Sequence, residues 1–180
     1  MSDLSSTAPN GISHSIREFL REGNVEIREV HHGPTLTSEQ AAEARNEPLR
    51  IGGKALLMKI GKQYSLFVLP ADRRVDSGLI RQRLKTRKMR FANTDELNEL
   101  TATTNDLEHQ RQGLVSGSVP PFGEPILPFP LYVDSAISSN ERIAFNAGSL
   151  TDSIIMSVAD YLRVARPTDI FSFTHEPPAD

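Results

Sequence analysis

The chain has 180 residues, no cysteine and a formal net charge of only −3. This length is typical of one domain with a core of its own. Without cysteine there is no disulfide bond, no thiolate nucleophile and no metal site with thiolate ligands. No apolar run is long enough to cross a membrane, and residues 1–10 are polar, unlike a secretion signal. We therefore expect a soluble, cytoplasmic protein without a membrane partner.

The small net charge hides a strongly basic segment at residues 73–90. This segment contains eight basic residues and one acidic residue, so it carries +7 and the rest of the chain carries −10. Such a local excess favours an anionic partner, although a solvated helix face would also account for it. The chain has no tryptophan and only 6% aromatic residues, which argues against an aromatic platform that stacks single-stranded bases.

Apolar periodicity and turn residues predict helices that alternate with strands along the whole chain. In the first half of the chain we expect a helix over 12–22, a strand over 25–30 and a helix that runs from a capping-box pattern at 37–40 to about 45. Strands over 54–60 and 64–69 follow, joined as a hairpin by Gly61-Lys62, and then a helix over 75–84, a strand over 89–92 and a helix capped by Asn93. The last expected elements are strands over 131–133, 142–145 and 153–156 and a helix over 157–164. Hairpin spacing predominates, so the expected fold is α+β: a mixed, largely antiparallel β-sheet flanked by helices.

The remaining segments define the domain limits. Residues 1–10 and 174–180 are predicted to be flexible ends of a single domain over 11–173. Residues 102–112 are polar and predicted to form a surface excursion. Residues 113–130 are dominated by glycine and proline, and a loop of this length in a compact domain usually has a function.

Standard catalytic motifs are missing from the sequence. Gly52-Gly53-Lys54 lacks the earlier glycine and the Ser or Thr of a phosphate-binding loop, and no nucleophile-elbow motif occurs. The five histidines lack metal-ligand spacing, so we expect no metal and no other cofactor. Lys54 opens an apolar strand directly after two glycines. It either extends into solvent from a strand end or presents its ammonium to a phosphate or carbonyl oxygen in a pocket.

Two further segments are candidates for a site. In residues 117–123 (Gly-Ser-Val-Pro-Pro-Phe-Gly) the prolines fix φ and the glycines permit unusual dihedrals. The result is either an ordinary rigid connection or a stiff loop whose N–H groups, including those of Gly117 and Ser118, face a ligand. Residues 146–149 (Asn-Ala-Gly-Ser) lie between two predicted strands, where they form either a turn or the wall of a small pocket.

Six ordered segments resemble the YbaK/prolyl-tRNA synthetase editing-domain family of stand-alone trans-editing aminoacyl-tRNA deacylases. The resemblance covers roughly residues 12–168, and its motifs are weak singly but specific in this order. The segments are 32–37 (His-Gly-Pro-Thr-Leu-Thr), 53–59 (Gly-Lys-Ala-Leu-Leu-Met-Lys), 70–76 (Pro-Ala-Asp-Arg-Arg-Val-Asp), 90–92 (Arg-Phe-Ala) with 96–97 (Glu-Leu), 117–121 (Gly-Ser-Val-Pro-Pro) and 144–149 (Ala-Phe-Asn-Ala-Gly-Ser).

The resemblance implies hydrolysis of the ester between a wrong amino acid and the 3′-terminal adenosine of a tRNA, without metal or cofactor. Lys54 matches the functional lysine of the family and would hold the tRNA 3′ end. The loop 117–121, with Gly117, Ser118 and Pro121 as catalytic candidates, would position the ester and stabilise developing negative charge through its N–H groups. The attacking group would be a water or the ribose hydroxyl.

The resemblance also implies a binding wall and an RNA-binding face. The candidates for the wall around the amino-acid side chain are His32, Thr37, Asn146, Gly148 and Ser149. Three of these, Thr37, Asn146 and Ser149, would suit a hydroxyl-bearing amino acid such as serine or threonine. Leu150 departs from the family, because many relatives carry histidine there. The candidates for contact with tRNA are Arg73, Arg74, Arg81, Arg83, Arg87 and Lys88.

The expected partner is therefore mischarged aminoacyl-tRNA, with an aminoacyl-tRNA synthetase as a second candidate and no DNA. Two alternatives remain open. A non-catalytic tRNA-binding or synthetase-associated module of the same fold would bind tRNA without hydrolysing its ester. A small-ligand binding protein would show neither tRNA affinity nor its salt dependence.

Overall fold

A computed structural model describes residues 11–102, 113–177 and 179. Its helices are α1 (Gly11–Glu22), α2 (Ser38–Arg45), α3 (Ser77–Leu84), α4 (Thr94–Thr101) and α5 (Val158–Ala165), with short 3-10 helices at Leu49–Ile51 and Ser135–Ser139. Its strands are β1 (Ile27–His31), β2 (Gly53–Ile60), β3 (Gln63–Pro70), β4 (Arg74–Val75), β5 (Met89–Phe91), β6 (Leu131–Asp134), β7 (Arg142–Asn146), β8 (Asp152–Ser157), β9 (Asp169–Phe171) and β10 (Thr174–His175). Within the described ranges, no helix is long and apolar enough to span a membrane.

The strands form one large sheet and two smaller ones. The large sheet has the order β5-β2-β3-β6-β9, in which β2 is antiparallel to both neighbours and β6 is parallel to both of its own. An antiparallel sheet has the order β1-β8-β7, and β10 pairs with β4. The predicted α+β fold with a mixed, largely antiparallel sheet and flanking helices is confirmed.

The two faces of the large sheet pack into separate apolar clusters. Because side chains alternate along a strand, Ala55 and Leu57 of β2 join the larger cluster with α1 and α5, whereas Met58 joins a smaller one with Ile80 of α3. Both faces are covered, which explains why β2 and β3 are nearly continuous apolar runs. The isolated parallel bridge between Gly52 and Ala144 joins the large sheet to β7, next to the position of Lys54.

Local sequence signals predicted the ends of several elements correctly. The hairpin turn is confirmed, since Ile60 pairs with Gln63 and Gly61 has a φ of +62°. Asn93 and Glu96 form the reciprocal capping box of α4. The helix predicted from residue 75 begins at Ser77 instead, because Val75 pairs with β10 and the Asp76 side chain caps the helix.

The C-terminal part of the domain differs from the expectation. Strand β9 carries no recognisable pattern in the sequence and was not predicted. The flexible end was expected from residue 174, but Thr174 is buried and pairs with Val75 in β10. Arg73 Nε also donates to Thr174 Oγ1 over 2.7 Å, so regular structure continues to His175. The predicted flexible residues 1–10 and the excursion at 102–112, apart from Ala102, lie outside the described residues.

Candidate active site

A cleft of about 750 Å³ opens between the first half of β2, the start of α2 and the Gly/Pro-rich loop. It is the place where distant parts of the sequence meet. Six of the residues predicted for the site line it: Thr37, Lys54, Arg73, Arg74, Gly117 and Asn146. Lys54 and the beginning of the 117–121 loop therefore belong to one cavity, which the sequence alone left open.

Lys54 reaches the cleft because the two preceding glycines let β2 approach β7. A Cβ at Gly53 would lie 2.5 Å from Ile143 Cδ1, closer than van der Waals contact permits. Lys54 itself pairs with Leu69 through its backbone, and its side chain is exposed. Its ammonium has no ion pair or hydrogen bond with any described residue. A cation that is unpaired within the protein is available to an anionic ligand.

The Gly/Pro-rich loop presents fewer free N–H groups than expected. The Ser118 N–H donates to the Val115 carbonyl over 3.1 Å, and Ser118 is 2% exposed and absent from the cleft wall. The N–H groups of Gly117 and Val119 bond to none of the described residues, and both residues line the cleft. Gly117 has a φ of +87°, a conformation that favours glycine. The loop therefore offers the N–H groups of Gly117 and Val119, not that of Ser118.

Pro121 is a buried support of the loop and does not line the cleft. Its carbonyl accepts a hydrogen bond of 2.7 Å from the Tyr161 hydroxyl of α5. Burial raises the pKa of Tyr161 well above its usual value, so this hydroxyl remains a donor at neutral pH. The predicted catalytic set of Lys54, Gly117, Ser118 and Pro121 is thus divided: the first two face the cleft and the last two anchor the loop.

Asn146 connects the loop to the floor of the cleft. Its Nδ2 donates to the Gly117 carbonyl over 2.7 Å. Its Oδ1 accepts from Arg45 Nη2 over 2.9 Å and from Ser153 Oγ over 3.1 Å, while Arg45 Nε donates to Ser153 Oγ over 2.9 Å. The side chains of Arg45, Asn146 and Ser153 are thus each bonded to the other two, so the Asn146 amide is held in one orientation.

Arg45 lines the cleft and was not among the predicted site residues. It is 6% exposed, and no described carboxylate lies within ion-pairing distance. Burial lowers the pKa of Arg45 to about 10, so the guanidinium is still charged at neutral pH. An arginine at the end of a short helix is normally a surface residue that interacts with the helix dipole. The position of Arg45 in the sequence therefore gives no indication that its side chain is buried at the cleft.

The cleft wall as a whole is positively charged. Its cations are Arg45, Lys54, Arg73 and Arg74, and its acidic residues are Glu39 and Asp72. Arg73 is held by Thr174 and lies 3.7 Å from Glu176, whereas Arg74 is exposed and has no ion pair with a described residue. The excess of basic groups suits a ligand that carries phosphate.

Only part of the predicted binding wall is at the cleft. His32, Gly148 and Ser149 do not line it. His32 contacts the Gly33 carbonyl through Nδ1 and Ser153 Oγ through Nε2, both over 2.8 Å. Ser149 Oγ donates to Asp152 Oδ2 over 2.8 Å in a turn. These three residues lie outside the cleft lining, and their role as contacts to the amino-acid side chain stays a prediction.

Thr37 lines the cleft, but its hydroxyl oxygen is already engaged. Thr37 Oγ1 accepts from the Gln40 N–H over 3.1 Å as the N-cap of α2, as the sequence predicted. The Gln40 side chain accepts from the Leu36 N–H and not from the N-cap itself, so the capping box is incomplete. Thr37 therefore begins the helix, and its O–H group donates to none of the described residues and can still donate to a substrate.

The six candidates for tRNA contact fall into three groups. Arg73 and Arg74 line the cleft, whereas Arg87 and Lys88 line a second, basic depression of about 350 Å³ with Lys59 and Arg90. On α3, Arg81 is exposed without an ion pair to a described residue, and Arg83 pairs with Asp169 over 2.9 Å and lies above the Phe171 ring. The basic segment is therefore neither wholly free nor wholly paired.

Solved structures share this fold over nearly the whole chain. A candidate trans-editing enzyme for prolyl-tRNA synthetase has a TM-score of 0.73 and 20% identity, covering 93% of this chain and 98% of its own. The crystal structure of hypothetical protein APE2540 has a TM-score of 0.74 and 20% identity, covering 89% of this chain and 99% of its own. The chain therefore shares the fold of these two structures.

Comparison of sequences specifies the family. The Multifunctional Ser/Thr-tRNA deacylase ProXp-y of Escherichia coli (strain K12) is 30% identical over 171 residues, which is 91% of this chain and 95% of that relative. Residues 32–164 match the aminoacyl-tRNA editing domain family. The chain belongs to the aminoacyl-tRNA editing domain family, and the resemblance drawn from the six sequence segments is confirmed. In the described part of the chain, no cluster of three or more His, Asp or Glu residues is suited to bind a metal ion.

Proposed function

We propose that this protein hydrolyses the ester bond of mischarged aminoacyl-tRNA in trans, as an aminoacyl-tRNA deacylase. The observation that carries the proposal is the shared cleft of Lys54 and Gly117 in a chain of the aminoacyl-tRNA editing domain family. One ammonium and two N–H groups at one cavity, none bonded to a described residue, suit a substrate that carries both a phosphodiester and an ester carbonyl.

Each group of the cleft has a defined task in the proposed reaction. Lys54 binds the negatively charged 3′ end of the tRNA. The N–H groups of Gly117 and Val119 donate to the ester carbonyl oxygen as it gains negative charge, and because they belong to a stiff loop they need little reorganisation. Asn146 holds the Gly117 carbonyl and thereby the direction of that loop. The protein thus supplies binding, orientation and charge stabilisation.

The attacking oxygen comes from outside the protein. No histidine lies among the described residues that line the cleft, so none of its hydroxyl groups is paired with an imidazole base. A water attacks the carbonyl carbon, because attack by the neighbouring ribose hydroxyl would only move the acyl group to that oxygen and would release no amino acid. With water, the bond between this carbon and the ribose oxygen breaks, the ribose oxygen takes up a proton, and free amino acid and tRNA are released.

The amino acids that we propose as substrates are serine and threonine. The relative from Escherichia coli carries the name of a Ser/Thr-tRNA deacylase and covers nearly the whole chain. A hydroxyl-bearing side chain requires a polar wall, and the described lining includes hydroxyl, amide and guanidinium groups. We also propose a cytoplasmic location, where charged tRNA is found, and an aminoacyl-tRNA synthetase as a further partner.

The basic residues provide the affinity for tRNA. The cleft arginines Arg73 and Arg74 would contact the 3′ end, and Arg87 and Lys88 the phosphates of the acceptor stem. Lys54 and Lys59 on β2 are separated by about 17 Å, from a rise of roughly 3.3 Å per residue. Because side chains alternate along a strand, these two lysines belong to opposite faces of the sheet, so the cleft and the basic depression would contact different parts of the tRNA.

A deacylation assay with Ser-, Thr-, Ala- and Cys-charged tRNA tests the proposed activity. The wild-type protein should accelerate ester loss, and Lys54→Ala should lower kcat/KM by on the order of 100-fold. Lys62→Ala, in the exposed hairpin turn, is the matched control and should remain active. If all four esters decay at the rate of buffer alone while tRNA still binds, the non-catalytic binding module is correct instead.

A further inference from the structure

Thr35 contains a buried hydroxyl that has no hydrogen-bond partner among the described residues. The residue is 7% exposed and lines the cleft. Its N–H donates to the Leu150 carbonyl over 3.2 Å, but its Oγ1 is shielded from solvent and bonds to none of the described residues. A buried unpaired hydroxyl lowers stability, so its presence at a ligand cleft indicates that the ligand supplies the missing bond.

The other polar side chains expected to recognise the substrate each have at least one hydrogen bond within the protein. Thr37 Oγ1 caps α2, and Ser149 lies away from the cleft on Asp152. Both ends of the Asn146 amide are bonded, the oxygen twice. Within the described residues, Thr35 Oγ1 is the one buried side-chain oxygen or nitrogen without a partner.

We propose that Thr35 determines substrate specificity, by pairing its hydroxyl with the side-chain hydroxyl of a seryl or threonyl ester. This inference rests on the proposed deacylase function and assigns the residue that selects its substrate. A hydroxyl donates one bond and accepts others, so Thr35 can pair with the hydroxyl of either amino acid. An alanyl ester would leave Thr35 unpaired, and sites built around a buried hydrogen bond discriminate against such analogues.

The pairing requires a small movement of one side chain. Because Oγ1 is covered, Thr35 rotates about χ1 between staggered positions to turn its hydroxyl into the cleft. The rotation breaks no hydrogen bond, since Oγ1 has none to a described residue. A bonded threonine, such as Thr37 at its helix cap, would lose a bond in the same movement. The unpaired state of Thr35 thus makes it free to respond to the ligand.

Single-turnover deacylation of matched esters tests this assignment. Seryl-tRNA is compared with 2-aminobutyryl-tRNA, in which a methyl group replaces the hydroxyl. In Thr35→Val the ratio of the two rates should fall by about tenfold or more, because the bond that favours serine is gone. Thr35→Ser keeps the hydroxyl and should keep the ratio. Thr168→Val, exposed and outside the cleft, is the matched control. The unfolding temperature of Thr35→Val should equal or exceed that of wild type.

The outcomes separate this inference from the function on which it rests. If the wild-type protein cleaves no ester, the proposed deacylase function fails. If it cleaves seryl-tRNA and Thr35→Val leaves the ratio of rates unchanged, the function stands and the assignment of Thr35 is overturned. An equal loss of both rates in Thr35→Val also overturns it, because Thr35 would then shape the cleft without selecting its ligand.

Discussion

Arg45 Nη2 donates to Asn146 Oδ1 over 2.9 Å, and this bond determines which end of the Asn146 amide faces the Gly/Pro-rich loop. A guanidinium only donates and a carbonyl only accepts, so the Asn146 oxygen must face Arg45 and its NH₂ group must face Gly117. The reversed amide would place two donors together at one end and two acceptors at the other. A buried cation on α2 therefore fixes the loop that carries the proposed oxyanion donors.

Replacement of Arg45 by methionine should lower the rate of editing more than it lowers stability. Without the guanidinium, Asn146 can reverse and Gly117 loses its anchor, so kcat should fall by about tenfold or more. The free energy of unfolding should change by less than about 2 kcal/mol, because removal of a buried unpaired charge offsets the lost hydrogen bonds. Single-turnover rates and urea unfolding measure the two effects.

The matched control for this change is Arg50→Met. Arg50 is exposed in the 3-10 helix at Leu49–Ile51. The editing rate and the free energy of unfolding of the Arg50→Met protein should therefore equal those of wild type. An Arg45→Met protein that is as active as wild type would show that Asn146 holds the loop without the guanidinium.

Replacement of Thr37 should affect stability and leave the choice of substrate unchanged. Thr37→Ala removes the N-cap of α2, which should lower the free energy of unfolding by about 1 kcal/mol. Thr37→Asn, another good cap residue, should restore most of this loss. The measurements are thermal unfolding and the ratio of seryl to 2-aminobutyryl ester hydrolysis. A large fall of this ratio in Thr37→Ala would return Thr37 to the role of a substrate contact.

The contrast between Thr37 and Arg45 explains which features could be predicted from sequence. The cap of α2 depends on residues three positions apart, and the same holds for Asn93 and Glu96 at α4. The environment of Arg45 instead depends on Asn146 and Ser153, which are 101 and 108 residues away. Local pattern rules contain no information about such partners, so elements and caps were predictable and the buried network was not.

Short edge strands were missed for a related reason. Strand β10 has two residues and forms only by pairing with β4, about a hundred positions earlier. A strand of this length has no detectable alternation. For the site, the six motif segments selected Lys54 and Gly117, and both line the cleft, while their roles there stay predictions. The segments did not indicate that the Ser118 N–H is engaged by Val115, which depends on the loop conformation.

Glu96 should make the stability of the fold dependent on acid pH. It accepts hydrogen bonds from Arg90, from the Tyr64 hydroxyl and from the Asn93 N–H. These contacts, Arg90 first, hold the pKa of Glu96 well below its ordinary value of 4.5. Because the folded state lowers this pKa, the stabilisation is complete above the ordinary pKa and is lost as pH falls through the folded-state value.

Thermal unfolding between about pH 3 and pH 7 checks this dependence. Glu96→Gln should lower the unfolding temperature at neutral pH and should reduce its decline in acid. Glu99→Gln, on the same helix and exposed, is the matched control and should follow the wild-type curve. If the Glu96→Gln and wild-type curves are parallel throughout, Glu96 does not account for the acid sensitivity.

Arg87 and Lys88 should contribute to tRNA affinity through free charge, whereas Arg83 should contribute less. Arg87 and Lys88 line the basic depression, whereas Arg83 is already paired with Asp169. In Arg87→Gln/Lys88→Gln, the slope of log affinity against log salt concentration should decrease in magnitude by about 1 to 2, since fewer counterions are released. Filter binding of uncharged tRNA at several salt concentrations measures the slope. An equal decrease in Arg83→Gln alone would mean that pairing within the protein does not decide which cations contact the RNA.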